Sequence, residues 1–295
     1  MATSEETPNA DRSTLTTDYC MRLQIEHETV FTYDAPVREA VGEARLRPRE
    51  EAGQRVLSFQ LSLDPPAPYD ELFDRFGNAV HCYSVLPPHR RLVVTAASEV
   101  ETSDDSLIST AALTLLQAHS FTAPSPYVPL TEELAAFARA HMAGNGDEAD
   151  ARALTSAIFG SCTYEPGSTD ITTTADLVLA GRRGVCQDFA HLLIGLCRSQ
   201  GLPARYVSGY LADRDQPPGA ILASHAWAEV FLEGRGWLGL DPTHNCETGE
   251  RYTRVAVGRD YADAAPMRGL FQGGAKETLA VRVRIRPAAE PAPAR

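Results

Sequence analysis

The sequence places one cysteine where its sulfur would be reactive. Cys186 lies in RRGVCQDFAHLLIGLCRSQGLPARYVSGYL (182–211), where apolar residues recur at helical spacing until Gly201 and Pro203 end the pattern. The predicted helix begins near Gly184, whose missing side chain could let a substrate approach, and holds Cys186 in its first turn. Unpaired backbone N–H groups and the positive end of the helix dipole favour an anion there. The thiolate, which is the nucleophilic form of cysteine, is therefore favoured.

Other polar residues of this helix are expected to have structural roles. Cys197 lies on the same face as Cys186 but about 16 Å further along the axis, so it is expected in the core and cannot share a metal with Cys186. His191 is rotated about 140° from Cys186 and is a poor partner for it. Gln187 and Asp188 are interpreted as first-turn residues rather than as catalysts.

A histidine and a carboxylate flank a predicted hairpin in SHAWAEVFLEGRGWLGLDPTHN (224–245). Two apolar runs are joined by Glu233-Gly234-Arg235-Gly236, a typical hairpin connection. His225 begins the first strand, and Asp241 ends the second, just before Pro242 removes a donor from the ladder. The imidazole and the carboxylate are therefore expected at the same open end of the hairpin.

The register of this hairpin decides whether the two groups can meet. They share a face only if Asp241 pairs opposite His225 or opposite Trp227. A four-residue loop that pairs Leu232 with Trp237 would put them on opposite faces. We therefore expect a longer loop or a bulge around the two glycines.

Cys186, His225 and Asp241 together have the residue types of a catalytic triad. His225 would take the thiol proton and later protonate a leaving amine, while Asp241 would orient the ring and stabilise the imidazolium. Two alternatives stay open. The three side chains could hold a metal with water in the fourth position, although no short-spaced ligand pair accompanies them. The chain could also be a non-catalytic binding module, which would have no need of all three residue types.

The elements that must position these residues fall into two zones. Residues 19–103 contain short apolar runs separated by turn signals and predict a β-rich, sandwich-like domain. Residues 104–287 begin with helical patterns, one starting after Thr131, and continue with strands, so this zone predicts an α+β catalytic core. Residues 1–18 and 288–295 are expected to be disordered.

Composition and charge exclude several classes of function. The 295 residues carry 27 Lys and Arg against 39 Asp and Glu, a net charge of −12, which argues against a nucleic-acid surface. No apolar run is long enough for a membrane span, and the first 30 residues do not resemble a secretion signal. The six cysteines form no CxxC pair. These features predict a cytoplasmic protein with free thiols and leave its oligomeric state open.

Three segments resemble the bacterial transglutaminase-like family of proposed cysteine proteases. They are GVCQDFAHLLIGLCRSQGLPARYVSGYL, SHAWAEVFLEGRGWLGLDPT and VAVGRDYADAAPMRG, while RLQIEHETVFTYD resembles the family's β-rich amino-terminal region. The resemblance covers roughly residues 20–287. It departs from the family pattern after Asp-Pro-Thr, where His244 and Cys246 replace the expected Asn-Gly-type turn.

The resemblance implies a papain-like α+β core and thiol chemistry on an amide or ester, with no metal and no cofactor. It implies Cys186 as nucleophile, His225 as base and Asp241 as orienter, acting on a peptide or protein substrate. Protease or amidase activity is favoured, and transfer to amines is the alternative. Tyr164 is a candidate oxyanion donor, or else a tyrosine packed at the domain seam. Residues 213–219 are expected to form a loop beside the site.

Overall fold

A computed structural model describes residues 20–103, 112–212, 221–222 and 224–288 of the chain. The loop expected at 213–219 and most of both predicted disordered ends lie outside these residues. Among the described residues, no helix combines the length and the apolar character that a membrane crossing requires.

The fold is α+β, as predicted. Its strands are β1 (Cys20–Ala44), β2 (Gln54–Asp64), β3 (Tyr69–Phe73), β4 (Ala79–Val85), β5 (His89–Ser103), β6 (Thr163–Tyr164), β7 (Arg183–Gly184), β8 (Ala204–Leu211), β9 (Ile221–Leu222), β10 (His225–Leu232), β11 (Gly236–Asp241), β12 (Cys246–Glu247), β13 (Tyr252–Gly258), β14 (Met267–Gln272) and β15 (Glu277–Pro287). Its helices are α1 (Leu115–Thr122), α2 (Glu132–His141), α3 (Glu148–Ser161), α4 (Ala175–Gly181), α5 (Cys186–Ser199) and α6 (Tyr261–Ala264).

Helix α5 is the predicted helix, and it begins at Cys186 itself. Gly201 ends it in the left-handed region at a φ of 80°, and the N–H of Leu202 returns to the carbonyl of Cys197. Nearly all of α5 is buried, because the other helices pack around it on one side and the sheet of the catalytic core covers the other. Cys186 therefore lies at the end of a helix that is packed on both sides.

The core sheet is antiparallel, with strand order β12-β11-β10-β8-β13. Its hairpin pairs Leu232 with Gly236, so the connection has three residues, and the longer loop or bulge expected from the sequence is wrong. Gly234 and Gly236 have φ angles of 79° and 94°, which lets the shorter turn close. Continuing this register places Asp241 opposite Trp227, on the face that His225 shares.

The amino-terminal sheet is built on β1, which is long enough to serve two sets of partners. Its first part pairs with β5 and β15, and its second part pairs with β4 and β14. Strand β15 lies in the sequence range assigned to the catalytic core, yet it pairs with β1 from Leu23 opposite Pro287 to Tyr33 opposite Glu277. The domain boundaries stay a prediction, but the two zones share this sheet.

Side-chain amides join the amino-terminal zone to β13, the edge of the core sheet. Gln54 accepts from the N–H of Arg254 at 2.7 Å and donates to its carbonyl at 2.8 Å. Asn78 does the same at Val257, with distances of 2.8 Å and 2.7 Å. Since both amides satisfy backbone groups that a neighbouring strand would otherwise use, the edge is covered and the two zones are held in register.

Candidate active site

Cys186 is the first residue of α5, and its side chain is partly buried against the core. Gly184 is needed for a different reason than substrate access. A Cβ at this position would lie 2.7 Å from the Asp188 side chain. Asp188 is buried and accepts from the N–H of Val185 at 2.7 Å and from the hydroxyl of Thr169 at 2.6 Å. Asp188 is thus a first-turn residue, as the sequence indicated, and its side chain also caps the helix start.

The two alternative partners on α5 also lie where the sequence placed them. Cys197 is fully buried, and burial raises the pKa of its thiol to about 12. His191 is fully buried as well, and burial followed by the charge of Arg198 lowers its pKa to about 3. Its Nε2 accepts from the N–H of Tyr261 at 3.0 Å. Neither side chain can serve the chemistry at Cys186.

His225 and Asp241 meet at the open end of the hairpin. The distance from His225 Nε2 to Asp241 Oδ2 is 2.7 Å, and the carboxylate has no solvent exposure. An ionised carboxylate only accepts, so Nε2 carries the hydrogen. The other ring nitrogen, Nδ1, is then the one available for the hydrogen bond between His225 and the Cys186 thiol.

Asp241 holds its charge because donors surround it. Besides His225, its Oδ2 accepts from His244 Nδ1 at 2.7 Å and from the hydroxyl of Tyr252 at 2.8 Å, while Oδ1 accepts from the N–H of Thr243 at 2.8 Å. Burial would raise the pKa of this carboxyl, but the two histidines lower it well below its usual value. Asp241 is therefore ionised at neutral pH.

The environment of His225 favours a protonated ring. Burial lowers its pKa, but the hydrogen bonds to Asp241 and Cys186, together with the charges of both groups, outweigh burial and raise the pKa to about 10. A proton on this ring is therefore favoured, which places a cation beside the Cys186 sulfur. The three predicted residues meet at one place: His225 is hydrogen-bonded to Asp241 and shares the cleft with Cys186, whose charge also acts on the ring.

Tyr164 lies beside Cys186, His225 and Asp241. It pairs with Gly184 through the short parallel β6–β7 ladder, which brings it next to the start of α5. Burial and then the charges of Cys186, Asp188 and Asp241 raise the pKa of its hydroxyl. The side chain is about half exposed and lines the same cleft as Cys186. An oxyanion role for this hydroxyl stays a prediction.

Metal-binding residue types are also present at the site. The ligand atoms of His225, Asp241 and His244 lie within 4.8 Å of one another. The ligand set that the sequence suggested contained Cys186, which this group does not. His225 Nε2 and His244 Nδ1 each already donate a hydrogen to Asp241. A metal ion bound between these atoms would have to replace both hydrogens.

A cleft of about 360 Å³ opens at Cys186 and His225. Sequence reasoning missed the contribution of the amino-terminal sheet, which supplies part of its lining through Thr29, Leu279 and Val281. No local pattern reveals this contribution, because it depends on β15 pairing with β1 across the whole length of the chain. The second imidazole that contacts Asp241 could have been predicted, because His244 is only three residues away in the sequence.

Each of the two zones matches the profile of a known protein family. The profile of the Transglutaminase-like superfamily matches residues 135–242, and that of the Bacterial transglutaminase-like N-terminal region matches residues 23–101. The uncharacterized protein ML0607 of Mycobacterium leprae is 35% identical over 279 residues, covering 90% of this chain and 98% of that protein. The uncharacterized protein Rv2569c of Mycobacterium tuberculosis is 36% identical over 283 residues, covering 88% of this chain and 90% of that protein.

A solved structure has the same fold. A proposed cysteine protease from Cytophaga hutchinsonii superimposes with a TM-score of 0.75 at 24% identity, covering 92% of each chain. The Protein-glutamine gamma-glutamyltransferase of Pseudomonas aeruginosa is 33% identical over 87 residues, 28% of this chain and 13% of that protein. On the full-length relatives and the matched profiles, the chain belongs to the transglutaminase-like superfamily, with the papain-like α+β fold and the bacterial sheet-rich amino-terminal region.

Proposed function

We propose that this chain is a thiol-dependent hydrolase or acyltransferase that cleaves or transfers amide bonds of a peptide or protein through a thioester at Cys186. One observation carries the proposal: the His225 ring shares a cleft with the Cys186 thiol and is hydrogen-bonded on its other side to the buried, ionised Asp241. A nucleophile, a base and an orienting group thus occur in the required order.

The chemistry proceeds in two balanced steps. The Cys186 thiolate attacks the carbonyl carbon, the C–N bond breaks, and the His225 imidazolium gives its proton to the departing amine, which leaves a thioester. Water then attacks the thioester, His225 takes the proton of the water, and the C–S bond breaks to release the acid and return the Cys186 thiolate beside the His225 imidazolium. Asp241 remains ionised and holds the ring through Nε2.

The negative oxygen of each tetrahedral intermediate requires donors. The N–H of Cys186 points out of the helix start, as first-turn N–H groups do. The Tyr164 hydroxyl, in the same cleft, is the second donor that we propose. Replacing Tyr164 by Phe is then expected to lower kcat by about a hundredfold, with little change in the free energy of unfolding because the side chain is half exposed.

The identity of the acyl acceptor divides the proposal into two candidates. We favour water, which makes the protein a cysteine protease or amidase, as in the proposed activity of the Cytophaga hutchinsonii relative. Similarity to the Pseudomonas aeruginosa gamma-glutamyltransferase over 87 residues favours an amine as the second candidate. Mass analysis of products formed with and without a primary amine distinguishes free acid from a new amide.

The chain contains its own control for the nucleophile. Under iodoacetamide at neutral pH, Cys186 is expected to be alkylated much faster than Cys197, whose thiol is fully buried and has a pKa raised to about 12. Intact-mass trapping with a peptide library should show an acyl adduct in the wild type and none in Cys186→Ala. Equal alkylation of the two cysteines would refute the proposal.

We also propose a cytoplasmic location, since Cys82, Cys162, Cys186, Cys197 and Cys246 are all free thiols. Fractionation of cells that express the tagged chain tests this. Recovery in the reducing compartment is expected, and recovery from an oxidising compartment would contradict it.

A further inference from the structure

From the cleft beside Cys186 we infer that the amino-terminal sheet forms an apolar wall, made by Leu279 and Val281 of β15, which selects acyl donors with an apolar side chain. This inference rests on the proposed thiol chemistry. It gives the amino-terminal zone a direct part in substrate selection.

The alternation of β15 places four apolar residues on one face of the strand. Two of them, Val283 and Ile285, are buried in a cluster that includes Tyr210 of the catalytic core. The other two, Leu279 and Val281, continue the same face but are 53% and 38% exposed. The catalytic core therefore covers Val283 and Ile285 but leaves Leu279 and Val281 uncovered, at the edge of the cleft.

The uncovered half faces the reactive groups. Leu279 and Val281 line the same cleft of about 360 Å³ as Cys186 and His225. A substrate whose carbonyl lies at the Cys186 sulfur therefore has its neighbouring atoms within this cleft. An apolar substrate side chain would complete the burial that the core provides for Val283, which favours binding by removing apolar surface of both partners from water.

Charge supports the same selection. None of the residues that line this cleft in the described part of the chain is Asp, Glu, Lys or Arg, although 22% of the sequence is charged. The imidazole of His27 also lies there, but burial lowers its pKa to about 4, so it is neutral. The His225 imidazolium also lines the cleft, but it is already paired with the Asp241 carboxylate. A charged substrate side chain would therefore lose its water without gaining a free counter-charge.

The arginines of β15 do not change this balance. Arg282 and Arg284 alternate with the wall residues and therefore lie on the opposite face of the sheet. Arg282 pairs there with Glu28 of β1 at 2.8 Å, and Arg284 pairs with Glu26. Their charges are directed away from the cleft and are balanced by neighbours on the same strand pair.

The inference can be tested by alkylation, which requires no known substrate. Chloromethyl ketones of N-acetyl-leucine, N-acetyl-glutamate and N-acetyl-lysine place different side chains beside the same electrophile, and iodoacetamide has no side chain. In the wild type, the leucine reagent is expected to modify Cys186 at least tenfold faster than the two charged reagents. Leu279→Ala should reduce the rate for the leucine reagent by about tenfold, because pocket contacts of this size discriminate by such factors.

A matched control comes from the same sheet. Leu270 on β14 is 78% exposed, pairs with Val41 and lies outside the cleft. Leu270→Ala should leave all four rates unchanged, and Leu279→Ala should leave the iodoacetamide rate unchanged, which shows that the site is intact. Leu279→Lys should make the glutamate reagent faster than the lysine reagent.

The possible failures are distinguishable. If iodoacetamide does not prefer Cys186 over Cys197, the proposed chemistry is wrong. If iodoacetamide prefers Cys186 but the reagents react alike in the wild type, or if Leu279→Ala slows all of them equally, the apolar wall is wrong while the chemistry stands. An equal effect of Leu270→Ala would also overturn the wall.

Discussion

Two buried carboxylates lie on neighbouring strands of the core sheet, and each receives two basic side chains. Asp241 on β11 receives the imidazoles of His225 and His244, whereas Glu229 on β10 receives two guanidinium groups. Both carboxylates are fully buried, and the pKa of each is lowered by its partners against the effect of burial. They lie on the same face of the sheet, because Glu229 pairs opposite Gly239, two residues before Asp241 on β11.

The Glu229 cluster is built from permanent charges. Arg205, its cross-strand neighbour, lies 2.6 Å from one carboxylate oxygen, and Arg254 lies 2.7 Å from the other. The Arg205 guanidinium also stacks over Trp237 at 4.1 Å from the ring centroid. Since arginine keeps its proton in proteins, this cluster has one charge state and joins β8, β10 and β13.

The two clusters differ in whether their cations can release a proton. Imidazole gains and loses a proton in the range where enzymes work, and guanidinium does not. In the Asp241 cluster the proton of His225 can be given to a leaving group. Under the proposed mechanism, the same buried carboxylate geometry therefore serves chemistry in one place and structure in the other. Substitutions should separate activity from stability at the two sites.

The largest effect is expected from Asp241→Asn. An amide in place of the carboxylate removes the charge that stabilises the imidazolium and can donate to Nε2, which favours the wrong tautomer of His225. We expect kcat to fall by about 10⁴-fold, by analogy with serine-protease triads. Steady-state kinetics on a turned-over peptide measures this, with thermal melting to show that the variant is folded. A kcat within tenfold of the wild type would remove Asp241 from the mechanism.

The second effect is on stability and comes from Glu229→Gln. The substitution removes the paired carboxylate from buried Arg205 and leaves Arg254 with only Glu51, at 3.5 Å. We therefore expect the free energy of unfolding to fall by about 3–5 kcal/mol. At temperatures where the variant is folded, kcat should stay within about threefold of the wild type. Urea denaturation and steady-state kinetics measure the two quantities.

A surface pair provides the control for Glu229. Glu28→Gln breaks the exposed pair with Arg282 and should cost at most about 1 kcal/mol. If Glu229→Gln costs no more than Glu28→Gln, the buried cluster does not hold the sheet together. If Glu229→Gln instead abolishes activity in the folded protein, the division between the two clusters fails.

The residues close in sequence were predicted well. The start of α5 at Cys186 follows from local rules, since apolar spacing, Gly201 and Pro203 determine where the helix lies. The pairing of Asp241 with His225 followed from strand alternation. The turn that produces it has three residues, however, whereas a loop of more than four residues or a bulge was expected from the sequence. Glycine conformations decide such a turn, and the sequence alone does not specify them.

The parts of the site that were missed depend on contacts between distant segments. Leu279 reaches the cleft because β15 pairs with β1, and the sequence shows β15 only as an alternating strand without a partner. Tyr252 reaches Asp241 from β13, and its own segment gives no sign of a catalytic contact. Local pattern therefore identified the side chains that meet at the cleft, whereas contacts between distant segments determine which groups surround them.

The third prediction concerns the pH dependence of stability, which only the histidine cluster should show near neutrality. The pKa of His225 rises from 6.5 to about 10 in the folded state. Its contribution to stability is then complete below pH 6.5 and is lost as the pH rises through about 10, with a slope of at most about 1.4 kcal/mol per pH unit for one proton. Denaturation of the wild type and of His225→Gln from pH 6 to 11 measures the contribution as their difference.

Glu229→Gln provides the contrast for this experiment. Its difference from the wild type should stay level over the same range, because none of its partners titrates there. A His225→Gln difference that is equally level would show that the folded protein does not raise the pKa of His225. That result would leave the thiolate without its counter-ion.

The smallest effect is expected from His244→Ala, which removes the second imidazole from Asp241. The His244 side chain is 47% exposed, so water can replace its hydrogen bond, and kcat at neutral pH should stay within about threefold of the wild type. Without this competing donor, Asp241 stabilises the His225 imidazolium more strongly. The alkaline limb of the pH–rate profile should therefore move upward, by less than one pH unit.

His244→Gln separates donation from charge, since an amide can donate to Asp241 but carries no proton that titrates. If the profile of His244→Gln matches that of the wild type, donation is the property that matters; if it matches that of His244→Ala, the charge is. Loss of activity comparable to that of Asp241→Asn would contradict both readings. It would make His244 a member of the catalytic machinery, and the Asp241 cluster would then differ from the Glu229 cluster in needing both of its basic partners for chemistry.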